Sequence, residues 1–513
     1  MKNITANPLK VKGPCDKKIF MKLKIIDERD ISKLRGDALV VGAYEGNRFT
    51  EMAKAVDVVM GRLLTALAKD LDFKAKLGDT IYIPSHGKKL KVKNVILVGL
   101  GKKKKLDEDG IRKATSSSLK KAKEIRARDI FFEPLGDSVL GGRCTKVLAE
   151  GALLGDYEFR KYKKDNEKID IESVSILADK SREGLLKLGK VLGEVTNFTR
   201  DIVNEPGNAI TPNELARIAK ELSKEYGFEC TVYGLEEIIK NKMNGILAVG
   251  QGSKNPPTFT HIAYRPEGAK SKVVIIGKGI TFDSGGLNIK PERSMKTMKC
   301  DKSGACAVLG IMKAIGEIRP EVEVHGLIPS AENMPSGEAF RPDDIITFAN
   351  GKSVEIHSTD AEGRLILADA LIYGSRIRPD IMIDMATLTG ACIVALGSYT
   401  TGLFSNDDNL ARDLLNLSIK TGEKMWRLPL DEDLRDEIKG DYSDIKNVGS
   451  RYGGAITAGL FLKEFVGKDI RSWAHLDIAG PAFLEKPWKY YAKGATGVPV
   501  RTVVELILNL NVG

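Results

Sequence analysis

Four carboxylates stand out in the second half of the chain, each set in a glycine-rich stretch beside a lysine or arginine. Asp283 lies in Lys278-Gly-Ile-Thr-Phe-Asp283-Ser-Gly-Gly, followed by Lys290. Asp301 lies in Met298-Lys-Cys-Asp301-Lys-Ser-Gly304. Asp360 and Glu362 lie in His357-Ser-Thr-Asp360-Ala-Glu362-Gly-Arg364. Gathered in one cleft, four carboxylates would repel one another and raise one another's pKa values. Two divalent cations would neutralise them, and oxygen-rich ligation suits Mn²⁺, Mg²⁺ or Zn²⁺. Carboxylates can bridge metals roughly 3.5–4 Å apart, and such pairs activate water between them. Asp360 and Glu362 are two residues apart, so in extended chain they face the same way, while His357 has the opposite parity and points elsewhere.

The elements that must position these residues read as α/β. The runs VVIIG (273–277), HGLIP (325–329), IMIDMA (381–386) and HLDIAG (475–480) are apolar enough for buried strands, with helical patterns at 303–316, 364–374 and 455–466 between them. Fully apolar strands joined by helical crossovers imply a mostly parallel sheet covered on both faces. Ligands of such sheets bind beyond the carboxyl ends of the strands, where the polar stretches above begin. The front half also alternates, with ALVVGAY and VILVGL as strands and residues 49–71 and 109–126 as helices. A long helical pattern from Ser181 to Val203 ends at the proline–glycine stop NEPGN (204–208) and connects the two halves.

Composition narrows the class. The chain has 513 residues, 42% apolar and 29% charged, which suits a soluble globular protein of two or three domains. Its most apolar stretch, Ile381 to Gly397, is broken by Asp384, Thr387 and Thr389, so no membrane span is expected. The start, MKNITANPLKVKGPCDKK, has no apolar run of the signal-peptide kind. Six cysteines without short paired spacing make neither a disulfide framework nor a structural zinc site, and point to a reducing cytoplasm. Residues 1–200 carry 43 basic against 28 acidic side chains, and residues 201–513 carry 37 against 41. A basic front half is either a solvated surface or a site for a partner with phosphates or an acidic surface. The run Lys102–Lys105 after VILVGLG lacks the third glycine of a dinucleotide turn.

The strings VGKGITFDSGG, MKCDKSGA, NMPSGEAFRPDDI and STDAEGRL, continued by DIKNVGSRYGGAITAGLFLKEF and WAHLDIAGPA, resemble the leucyl (cytosol) aminopeptidase family of di-metal exopeptidases over residues 195–510. The resemblance implies a basic, macro-domain-like α/β domain at 1–178, a linker helix at 179–204 and a larger α/β catalytic domain at 205–513. It implies one metal on Lys278, Asp283, Asp301 and Glu362 and a second on Asp283, Asp360 and Glu362, with Mn²⁺ or Zn²⁺ expected and Mg²⁺ or Co²⁺ as alternatives. Lysine ligation would require a neutral amine, its pKa lowered by the dications and by burial. Lys290 would stay protonated for the oxyanion, and Arg364 would hold a bicarbonate that shuttles the proton. The expected reaction is attack of a metal-bridging hydroxide on the first peptide carbonyl, releasing N-terminal leucine and similar residues. The side-chain pocket maps onto Met298, Thr387, Leu388, Gly390, Ala479 and Ala482. A cytoplasmic homohexamer acting on peptides with a free N-terminus is implied too, and nucleic-acid binding by the basic domain is the alternative role.

Two positions depart from the family pattern: Lys302, where methionine or leucine is usual, and Ser358, where asparagine is usual. Lys302 is expected either to weaken metal binding or to point to solvent. Ser284 reads as a turn residue, because no G-x-S-x-G elbow surrounds it. Cys300 and Cys306 read as small core residues, and Asp384 as a buried carboxylate that orients a ligand or Lys290.

Overall fold

The computed structural model describes residues 21–46, 48–85, 90–164 and 169–510. The opening stretch read above for a signal peptide, and Cys15 within it, lie outside the described residues.

Two sheets organise the chain. In the first, the strands run in the order Lys22–Ile26, Ser173–Leu177, Asp129–Phe132, Gly36–Tyr44, Val92–Gly99 and Thr80–Pro84, all parallel except the last. Alternate residues feed opposite faces, as the two-residue period of a strand requires. Val40, Ile96 and Val98 pack beneath Ile111, Leu119 and Leu148. Leu39, Val41 and Leu97 pack against Ala53, Val56 and Leu64 on the other side. The helix read over 49–71 is two helices, Glu51–Val59 and Leu63–Asp70. Gly61 and Arg62 both take positive φ between them, and the Asp57 carboxylate accepts the Thr65 N–H and hydroxyl, restarting the chain as a new helix.

The second sheet runs Met425–Arg427, Thr401–Ser405, Trp473–Asp477, Ile381–Ala386, Ser271–Gly277, Val322–Asn333, Thr258–Tyr264 and Glu229–Tyr233, with Gly279–Asp283 paired to Val322–Asn333. Its central strands are parallel, and Thr401–Ser405 and Thr258–Tyr264 pair antiparallel on either side of them. Val273, Ile275, Ile383 and Met385 face the helix Ser303–Ile318. Val274, Ile276 and Met382 face the helix Gly363–Arg376. The parallel strands therefore end together, at Lys278, Thr387 and Asp477.

The helix Glu183–Asn204 joins the two halves and stops at Glu205, whose extended backbone suits the residue before Pro206. A buried ion network also crosses the junction. Glu150 pairs with Arg112 at 2.6 Å and Arg501 at 3.4 Å, and Arg501 pairs with Glu423 at 3.3 Å. Among the described residues no helix is long and apolar enough to cross a membrane.

Candidate active site

Lys278 follows directly on the strand Ser271–Gly277 and is buried, its backbone N–H donating to Met385 O at 3.0 Å. Its Nζ lies 2.9 Å from both Asp301 Oδ2 and Glu362 Oε1. Glu362 ends the loop that enters the helix Gly363–Arg376, and a Cβ on Gly363 would sit 2.5 Å from Lys278 Nζ, so only glycine admits the lysine. Asp283 closes the strand Gly279–Asp283, its Oδ1 accepting from Gly285 N at 2.8 Å and Asn333 Nδ2 at 2.9 Å. Gly285 has φ +86°, and a Cβ there would fall 2.4 Å from Asn288 O. Asp301 rides on the 3₁₀ turn Met298–Lys302, its Oδ1 accepting from Thr387 Oγ1 at 2.7 Å.

One oxygen each from Asp283, Asp301 and Glu362 lie within 4.8 Å of one another. Asp360 stands further out, 39% exposed at its side chain, and is joined to the group through Lys290. Lys290 Nζ lies 2.9 Å from Asp283 Oδ2 and 2.6 Å from Asp360 Oδ1. The parity argument for Asp360 and Glu362 assumed extended chain; the segment is a turn running into a helix, so the two carboxylates take different depths.

Burial, reinforced by Asp283, pushes the Glu362 carboxyl up to about 8. Burial also raises Asp301 and Asp360, against the pull of Lys278 and Lys290 respectively. Burial works to discharge Lys278, but Asp301, Glu362 and Asp283 outweigh it and hold the ammonium above the usual lysine range. The lowered pKa expected for a ligating lysine is therefore not a property of the protein groups by themselves. Lys290 is likewise raised, the carboxylates of Asp283 and Glu362 overcoming its burial. Glu362 Oε2 is buried without a hydrogen-bond partner. An orphaned carboxylate oxygen is costly in an apolar interior, and a cation at this cluster would satisfy it. The donor set fits a divalent metal centre.

Arg364 follows on the same helix, buried, with Nη1 donating to Asn447 O at 2.5 Å and Nε without a partner. Burial brings its guanidinium down to about 10. Beside the cluster, Asp477 at the end of the strand Trp473–Asp477 ties the neighbouring loops together. Its Oδ1 accepts from Leu388 N at 3.2 Å and Ala479 N at 3.1 Å, and its Oδ2 from Thr389 Oγ1 at 2.7 Å. Thr387, Leu388, Gly390 and Ala479 are thus held close, and Met298 is half-buried on the turn that carries Asp301.

The model of the cytosol aminopeptidase family's catalytic domain matches residues 197–504, and that of its N-terminal domain matches residues 40–166. The chain belongs to the cytosol aminopeptidase family. A probable cytosol aminopeptidase of Persephonella marina is 50% identical over 91% of this chain and 95% of its own length. One from Aquifex aeolicus is 48% identical over 94% and 97%. Among solved structures, a mutant of tomato leucine aminopeptidase has a TM-score of 0.87 and 34% identity, covering 96% of this chain and 97% of its own. The bottromycin maturation enzyme BotP in complex with Mn has a TM-score of 0.84 and 34% identity, covering 93% and 100%. The protein is an enzyme, an aminopeptidase.

Several expectations change in the folded aminopeptidase. Lys302 neither reaches solvent nor approaches the carboxylates. It is fully buried, and Nζ donates to Lys299 O at 2.6 Å, Glu205 O at 2.9 Å and Val203 O at 3.2 Å. Asp384 does not orient Lys290; its oxygens take Trp473 Nε1 at 2.8 Å and His475 Nδ1 at 2.5 Å from the adjacent strand. Ala482 packs into the core beside Ala495 and Val498, 2% exposed, because the turn from Ile478 directs it inward, so it offers a pocket almost no surface. His357 is exposed, with Nε2 3.7 Å from Glu355 Oε1, and the parity read for it assumed the same extended chain that the turn replaces. Ser284 donates to Asn333 O at 2.7 Å, as a turn residue does. Cys300 and Cys306 are buried free thiols that burial pushes up to about 12. Ser358 Oγ accepts the Asp360 N–H at 3.2 Å, holding the same turn.

Three positioning residues escaped the sequence reading of the aminopeptidase: Asn333, Asp477 and Asn447. Asn333 braces Asp283 and Thr359 O, and Asn447 Oδ1 accepts from His357 N and Ser358 N. All three sit inside the motif strings NMPSG, DIKNVGS and WAHLDIAG, so their signal was present without a visible chemical role.

Proposed function

We propose that this chain is a di-metal aminopeptidase that releases leucine and similar apolar residues from the N-termini of peptides. The observation that carries the reading is the convergence of Asp283, Asp301 and Glu362 around Lys278, with a buried Glu362 oxygen left for a cation. One cation would be held by Lys278, Asp283, Asp301 and Glu362, the other by Asp283, Asp360 and Glu362, with Mn²⁺ or Zn²⁺ the best fit to this donor set. Bound there, the cations supply Lewis-acid polarisation of the scissile carbonyl and a lowered pKa for the attacking water. Mn is present in the complex of BotP, and the tomato relative is a leucine aminopeptidase.

The chain's own residues do the rest. Lys290, kept protonated between Asp283 and Asp360, donates to the oxyanion of the tetrahedral intermediate. Arg364, whose buried Nε has no hydrogen-bond partner, would hold a bicarbonate, which would supply a proton acceptor and donor at that place. Met298, Thr387, Leu388, Gly390 and Ala479 surround the first side chain. The substrate's free α-amine faces the carboxylates, and this measures off one residue from the N-terminus. The same reading divides the chain into an N-terminal domain at 1–178, a linker helix at 179–204 and a catalytic domain at 205–513. It places the enzyme in the cytoplasm as a homohexamer.

The test is hydrolysis of leucine p-nitroanilide by metal-stripped protein, with Mn²⁺, Zn²⁺ or Mg²⁺ restored, beside Asp360→Asn. Activity recovered in wild type and absent in the variant is the expected result. A folded wild type that stays silent with every metal would overturn the reading.

A further inference from the structure

The last turn of the interdomain helix is held from two sides at once. On the catalytic side, Lys302 Nζ donates to the carbonyls of Val203 and Glu205, and Lys299 Nζ donates to Asn204 O at 2.5 Å. These carbonyls stand at a helix C-terminus, where no further turn supplies N–H donors and the helix dipole favours cations. On the other side, the segment that follows the N-terminal domain's helix Arg143–Asp156 reaches the same turn. Tyr157 Oη donates to Asp201 Oδ1 at 2.7 Å, and Asn204 Nδ2 donates to Tyr157 Oη at 3.1 Å. Lys161 Nζ and Tyr162 Oη meet the Glu205 carboxylate at 2.6 and 2.5 Å.

Lys302 also donates to Lys299 O, which closes the 3₁₀ turn Met298–Lys302 that carries Asp301. Turns of this kind have poor internal hydrogen bonding and take their position from what they are anchored to. This one is tied to the helix end through two lysines and, through Asp301 itself, to Thr387 and Lys278. A methionine or leucine at 302 would fill the same space and leave the carbonyls of Val203 and Glu205 without these donors.

We propose that Lys302 is a positioning residue for Asp301, and that the N-terminal domain, gripping the same helix end through Lys161 and Tyr162, helps set the affinity of the metal that Asp301 holds. The inference rests on the metal-centre reading above. It differs from a general stabilising role in being selective: the ion held by Asp301 depends on the latch, and the ion held by Asp283, Asp360 and Glu362 does not.

The experiment is chelator competition for Mn²⁺ at 25 °C on the full-length chain, comparing wild type, Lys302→Met and the double variant K161M/Y162F, each shown folded by circular dichroism. Removing an outer partner of a metal ligand costs about 10–100-fold in affinity. The expected result is a loss of about tenfold or more for one of two ions in both variants, with kcat recovered at saturating Mn²⁺ and KM for the peptide unchanged. Wild-type affinity for both ions in folded Lys302→Met overturns the proposal, and so does equal weakening of both ions. If Lys302→Met does not fold, K161M/Y162F decides by the same two outcomes. Wild type that binds no Mn²⁺ overturns the metal-centre reading, and the inference with it.

Discussion

Lys278 and Lys290 are two lysines among the same carboxylates with different surroundings. Lys278 is walled in by Asp301, Glu362 and the Thr387 carbonyl, 3.0 Å away, with no room for substrate on its ammonium. Lys290 lies between Asp283 and the half-open Asp360 and is itself partly exposed. Removing an oxyanion donor costs about 10²–10³ in kcat. Lys290→Met is therefore expected to lower kcat by about that factor while metal content, measured on the purified protein, stays at the wild-type value. An unchanged kcat would remove Lys290 from the chemistry. That Asp283, Asp301 and Glu362 gather was legible from their places in glycine-rich stretches at strand ends, whereas Lys278 was set among them only by the family resemblance. The depth of Asp360 was not legible, because it depends on whether the chain between it and Glu362 is extended or turning.

Two element-level features carry predictions. The helix Gly363–Arg376 begins against Lys278, with room for no Cβ at its first residue. Gly363→Ala must push Lys278 or the helix aside, and displacements of about 1 Å in a catalytic site cost about 10²-fold. Steady-state kinetics on leucine p-nitroanilide should show that loss with the far-ultraviolet spectrum unchanged. The second feature lies across the antiparallel strands Thr258–Tyr264 and Val322–Asn333. There His261 Nε2 meets His325 Nδ1 at 2.8 Å, and His325 Nε2 meets Glu323 at 2.8 Å, with Tyr373, Arg265 and Glu229 alongside. Burial first, then His325, brings His261 down to about 4. Its folded pKa thus lies below the unfolded value of 6.5, so the unfolded chain takes the proton first. The associated stability is fully present above about pH 6.5 and is lost as the pH falls toward 4, by at most about 3 kcal/mol. Urea unfolding at pH 7 and pH 4.5 should show a smaller acid loss in His261→Asn than in wild type.

At the scale of the whole molecule, Arg112 and Glu150 from the first half and Arg501 and Glu423 from the second form one buried ion network, each no more than 2% exposed. Arg112 Nη2 also donates to Lys420 O at 2.9 Å across the junction. Breaking a buried pair from one side costs about 3–5 kcal/mol, because the partner charge stays buried. Glu150→Gln takes the carboxylate from Arg112 and one of two from Arg501, which keeps Glu423. A fall in thermal midpoint, with the two domains no longer melting together in calorimetry, is the expected outcome; an unaltered single transition would show that apolar packing alone joins the halves. The network was invisible in the sequence, where its members are spread from 112 to 501 and none falls in a motif.

Local pattern alone determined the α/β class, the strands that end at Lys278 and Thr387, and the family, since strand period and motif strings are properties of contiguous chain. Tertiary structure decided the partners. Lys302 meets Val203 across 99 residues of sequence and Asp384 meets His475 across 91. At residues 49–71, the helical period continues through Gly61 and Arg62, yet the chain turns there because Asp57 accepts from Thr65. Periodicity reports which way a residue faces; which group it meets there is set by the packing of segments that the sequence keeps far apart.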